Sequence, residues 1–239
     1  VLEPLSSETL ETSTYISKFL SAVSAGLFDA ALNYLWDETV SQLRFRVSQY
    51  DIQYFFDLAV TSDKRTKLST EDDLVKIDDS ELIQGAKEIG LISDIGYRLL
   101  DNIKFMRNWA SAAHPNQVEL TGLQLIDWLE TCIKEVISLP LSNLTIQIGK
   151  LLRNIKTNTL DEAEAETISN FFCELTSEKA NSLCNGFFGI YCRIDTTSDT
   201  KRNIKLLLPK LWYLVDEDVK WNCGIKYSKF QINNDQTEA

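Results

Sequence analysis

Glycine and proline are scarce in this chain, with nine Gly and four Pro in 239 residues. So few turn-formers exclude a meander of short strands and favour long helices. Histidine is scarcer still, because His114 is the only one. A single imidazole cannot supply the paired Glu-x-x-His motifs of a di-iron bundle. Any Ser-His-Asp or Cys-His site would have to be built on His114 itself. The chain has no P-loop, no G-x-G-x-x-G, no G-x-S-x-G and no H-E-x-x-H. No apolar run approaches the ~20 residues needed to cross a bilayer. The first residues lack a basic stretch followed by an apolar one, so neither a membrane partner nor a secretory signal is expected. Five cysteines (Cys132, Cys173, Cys184, Cys192, Cys223) form no C-x-x-C pair and have no histidines nearby. Zinc and a disulfide scaffold are therefore not expected, and reduced thiols in a cytoplasmic protein are.

What is present describes a folded, acidic protein: 44% hydrophobic, 10% aromatic and 25% charged residues. The net charge of −11 and pI near 4.7 argue against broad, non-specific nucleic-acid binding and against a DNA partner. A local basic groove stays compatible with them. The acidic runs "DEAEAE" (161–166) and "EDD" (71–73) read as solvated helix starts and surface charge, not metal ligands, and no cofactor is expected. Aromatic clusters such as "YFFD" (54–57) and "GFFGIY" (186–191) fall at helical spacing and read as core.

Periodicity predicts an all-α fold. Helices are expected over 9–25 and 27–47, with Gly26 between them, and a short one in the aromatic stretch after Tyr50. A polar excursion follows to residue 78, then a helix N-capped by Ser80 and stopped at Gly90. A helix over 93–113 should bury Ile95, Leu99, Ile103 and Met106, and Pro115 should end it before His114. Thr121 and Gln124 form a capping-box pattern opening a helix over 122–139. After Pro140 come five shorter helical segments with polar starts at Asp161, Ser177, Ser198 and Asp216. Their cadence suggests a repeat-like layer, and the tail beyond Phe230 reads as disordered or as the edge of a longer array. The expected division is a bundle over 1–140, with an insertion near 50–78, and an α-helical extension over 141–239.

The chemistry concentrates in "RNWASAAHPN" (107–116). An imidazole near its ordinary pKa of ~6.5 can move the proton of an attacking 2′-hydroxyl or of a leaving oxygen. A guanidinium can bind the phosphate and stabilise charge building on it. Arg107 at the end of one helix and His114 at the turn into the next could face one concavity. The plainer reading makes His114 a helix-end residue and Arg107 a surface cation.

"FMRNWASAAHPNQ" with its flanking helices resembles the active-site motif of HEPN-domain ribonucleases. That motif is an Arg, then usually a polar residue, then four to six positions, then His. The resemblance covers roughly residues 9–139 and implies a HEPN-like helical bundle. It implies an endoribonuclease that needs no metal and leaves a 2′,3′-cyclic phosphate and a 5′-hydroxyl. His114 would be the acid/base, Arg107 the phosphate-binding cation and Asn108 the orienting polar group, with Lys104 and Asn116 binding substrate. It also implies a homodimer with two motifs across one cleft, which Arg98 could help make basic, and toxin–antitoxin or phage-defence roles with a neutralising or regulatory protein partner. A rival of another class is a non-catalytic HEPN-like scaffold for dimerisation and partner binding.

Overall fold

A computed structural model of the chain describes residues 13–110, 119–138 and 143–234. Those residues are all-α, with no strand among them. They fall into two compact units, Val1–Gln49 with Ala59–Leu141, and Tyr50–Leu58 with Ser142–Ala239.

In the first unit, α1 (Thr14–Ser24) is capped by Ser13, whose hydroxyl accepts the Ile16 N–H, and it buries Ile16, Phe19 and Ala22. Gly26, at φ +73, makes the left-handed turn that a side chain would strain, and α2 (Phe28–Ser48) follows. Buried residues surround more than half of α2, among them Leu32, Leu35, Trp36, Thr39, Leu43 and Val47. It is the central helix of this unit, packed by α1 and by the helices Asp79–Glu88, Asp94–Trp109 and Gly122–Cys132. The polar excursion contains a single turn, α4 (Ser62–Arg65), and a 3-10 turn, Glu71–Lys76.

Helix α5 (Asp79–Glu88) starts two residues earlier than expected. Asp78, not Ser80, is its cap: Asp78 accepts the Glu81 N–H and Glu81 accepts the Asp78 N–H, each at 2.9 Å. Helix α6 (Asp94–Trp109) is capped by Ser93 and ends at Ala110. Its buried face is Gly96, Leu100 and Ile103, not the stripe of Ile95, Leu99, Ile103 and Met106. Ile95 is 73% exposed and Leu99 42%. Gly96 lies on that packed side, where an added Cβ would meet the end of the Glu135 side chain. Helix α7 (Gly122–Cys132) has the expected Thr121–Gln124 capping box and runs into a π-helical turn, Ile133–Ile137. That turn is held to α2 by Arg46, whose Nη2 donates to the Ile137 carbonyl at 3.1 Å.

In the second unit, α3 (Ile52–Ala59) buries Tyr54, Phe55 and Phe56. This part of the expected insertion belongs with the C-terminal helices, because its anchors are there. Asp51 pairs with Lys156 at 2.9 Å, Arg193 bonds Asp57, and the Tyr54 hydroxyl donates to the Ser182 carbonyl at 3.3 Å. The C-terminal helices are α8 (Asn143–Thr157), α9 (Glu162–Phe172), α10 (Ser177–Tyr191), α11 (Ser198–Leu211) and α12 (Glu217–Asn234). Helix α11 is central, touching α8, α9 and α10. Asp161 caps α9 as expected, whereas Thr176 and Thr197, each one residue before the expected serine, cap α10 and α11. The Asp216 carboxylate is drawn sideways onto α10 by Ser177 and Asn181. Beyond Phe230, α12 continues to Asn234, since each added residue extends an existing ladder.

Candidate functional site

Arg107 lies in the last turn of α6, four residues after the buried Ile103, and so continues the packed face of that helix to its end. Its guanidinium reaches α2. Nε donates to Asn33 Oδ1 at 2.9 Å, and Nη1 donates to Asn108 Oδ1 at 3.2 Å. Asn33 is itself oriented, because its Nδ2 donates to the Asp29 carbonyl at 2.9 Å. With the amide nitrogen committed to its own helix, the amide oxygen must face Arg107.

One turn beyond Asn33 on the same face of α2 is Asp37. Burial raises its carboxyl above the ordinary carboxylate range. The charges of Arg107, Lys18 and Arg44 oppose that shift, and Asp79 adds to it. Asp79, at the start of α5, accepts a hydrogen bond from Trp36 Nε1 at 2.7 Å. Arg44, a further two turns along α2, has a buried Nε without a hydrogen-bond partner. Lys18, on α1, sits 5.7 Å from the ring centres of Tyr15 and Tyr34. It also lines a groove of about 560 Å³ between α1 and α2, with Ser17, Ser21, Ala30 and Tyr34.

The motif residues are distributed unevenly. Arg107 and Asn108 contact each other. Lys104 is turned toward α5, where its ammonium donates to Ser80 Oγ and Asp101 Oδ1, each at 2.7 Å. Much of its charge is therefore already matched, and its place as a substrate-binding cation beside Arg107 is weakened. Arg98 lies against the Tyr97 ring. His114 and Asn116 are outside the described residues. Among the described residues, no group of three or more His, Cys, Asp or Glu is placed to hold a metal ion, and no helix is long and apolar enough to cross a membrane.

Asn33, Asp37 and Asp79 were not legible as site residues. Within "LNYLWDETV", Asn33 and Asp37 are two of four polar residues and carry no mark that separates them from Glu38 and Thr39. Nothing in that stretch points to an arginine some 70 residues later; only the packing of α6 on α2 does.

Comparison with protein families, with curated proteins and with solved structures finds no match to this chain.

Proposed function

We propose that the protein is a HEPN-type endoribonuclease that cleaves RNA by attack of a 2′-hydroxyl on the neighbouring phosphodiester. The products are a 2′,3′-cyclic phosphate and a 5′-hydroxyl. The observation that supports this reading is the fixed guanidinium of Arg107, held by Asn33 from α2 and by its motif neighbour Asn108. A guanidinium held through Nε and Nη1 has Nη2 left to donate to a phosphate oxygen. His114, seven residues on, supplies the proton transfer, and Asn116 contacts the substrate. The protein acts in the cytoplasm as a homodimer, in a toxin or phage-defence role restrained by a protein partner.

A second reading has its own support. Helix α6 exposes Ile95, Leu99, Phe105 (53%) and Trp109 (39%) beside its packed face. An apolar band of that kind suits a partner-binding scaffold without catalysis.

Incubation of the purified protein with end-labelled RNA in EDTA separates the two. The enzyme reading expects fragments ending in cyclic phosphate, and a loss of about 100-fold or more in Arg107→Ala and His114→Ala. Cleavage that survives both substitutions, or no cleavage of any RNA by the wild type, refutes it.

A further inference from the structure

Helix α6 is apolar on two sides. One side packs through Gly96, Leu100 and Ile103. The other holds Ile95, Leu99, Phe105 and Trp109 in solvent, with Arg98 and Asn102 exposed among them and Met106 half-buried at the edge. At 3.6 residues per turn all seven fall within about 60° of Asn102, so they form one band. Their order is symmetric. Ile95 and Trp109 stand seven residues either side of Asn102, Arg98 and Met106 four, and Leu99 and Phe105 three. A second copy laid antiparallel across this face, with its Asn102 on Asn102, therefore sets Ile95 against Trp109 and Trp109 against Ile95. That reciprocity is the mark of a two-fold interface, and an unrelated partner gives no reason for it.

Charge and area select the same arrangement. Arg98 is the only charged residue of the band. Parallel pairing would stack it on Arg98 of the second copy and align the two helix dipoles. Antiparallel pairing sets it level with Met106 and beside the Phe105 ring, and it opposes the dipoles. At the centre, each Asn102 amide can donate to the carbonyl oxygen of the other. Phe105 and Trp109 already rest against each other, with ring centres 5.8 Å apart, so little freedom is lost when they are covered. The four apolar side chains expose on the order of 400 Å² on each copy, within the size range of functional surface patches. Two such bands, with Arg98, Asn102 and Met106 added, cover about 1,200 Å², the lower edge of specific interfaces. We propose that this band is a self-association face, on which two copies of the chain pair through antiparallel α6 helices about Asn102. The pairing is independent of RNA cleavage.

Sedimentation equilibrium of the full chain tests it. The wild type is expected to dimerise at micromolar concentration. Leu99→Glu and Phe105→Lys each put a charge into the seam and weaken self-association about 100-fold or more, while thermal unfolding stays near wild type because both positions are exposed. Cysteine cross-linking reads the register, with the wild type as control for its own thiols. Asn102→Cys, on the two-fold axis, forms a covalent dimer under mild oxidation. Ile95→Cys does not, because antiparallel helices hold the two substituted positions about 21 Å apart along the axis. A protein that stays monomeric across the micromolar range overturns the proposal, as does a dimer untouched by both charged substitutions. Cross-linking through Ile95→Cys as readily as through Asn102→Cys overturns it too. If either charged variant unfolds, the cross-linking pattern decides by itself. A dimer paired through this face that cleaves no RNA supports the proposal while the endoribonuclease reading falls, and a monomer that cleaves RNA does the reverse.

Discussion

Replacing Asn33 by alanine removes the amide that holds Arg107 Nε at 2.9 Å. A hydrogen bond to a charged group contributes about 1.5–3 kcal/mol. This one is only partly buried, and Arg107 retains its contact with Asn108, so the lower end, about 1.5 kcal/mol, is the appropriate figure. If that energy is lost from the orientation of the guanidinium at the transition state, kcat/KM for RNA cleavage drops about tenfold. Asn33→Asp separates geometry from charge. A carboxylate holds the guanidinium at least as firmly, but it withdraws positive charge from the phosphate. Asn33→Asp is therefore expected to cleave more slowly than Asn33→Ala while folding at least as well, as measured by steady-state cleavage of one RNA beside thermal unfolding. Wild-type cleavage by Asn33→Ala, or faster cleavage by Asn33→Asp than by Asn33→Ala, would refute the idea that Asn33 positions a phosphate-binding Arg107.

Two further outcomes concern the fold. Asn203 is fully buried and accepts the Leu160 N–H at 2.8 Å while donating to the Ile155 and Asn158 carbonyls at 2.9 and 2.6 Å. Asn203→Leu strands three backbone groups at about 1 kcal/mol each, so a loss of about 3 kcal/mol is expected in denaturant unfolding of the second unit. Hydrogen exchange at the Leu160 amide should accelerate with it, and a loss under about 1 kcal/mol contradicts the network. At pH 8 a thiol reagent should label the exposed Cys173 first. Cys132, pushed up to about 12 by burial, and the buried Cys184 and Cys223, whose sulfurs are 4.0 Å apart, should react only on unfolding. Early labelling of Cys132 by mass spectrometry counts against the packing of the first unit.

Local signals read well wherever one helix supplies both partners of an interaction. Thr121 with Gln124 and Asp161 with Glu164 are capping boxes three residues apart, and both form. Gly26 and Gly90 stop helices at φ +73 and +69, as their spacing suggested. The misreadings arise where the sequence offers two equivalent choices. Asp78 and Ser80 can each cap a helix, and the reciprocal bond from Glu81 decides for Asp78. Helix α6 has apolar residues around most of its circumference, so its periodicity could not say which side is packed.

The all-α class, most helix positions and the Arg107–Asn108 pair were determined by the sequence alone, because they depend on contacts within a few residues. The partners of Arg107 depended on the tertiary structure. The packing of α6 on α2 aims Arg107 at that helix, and only then does Asn33 become its partner. Shape complementarity between helices distant in sequence makes that choice, and a hydrophobic pattern carries no record of it.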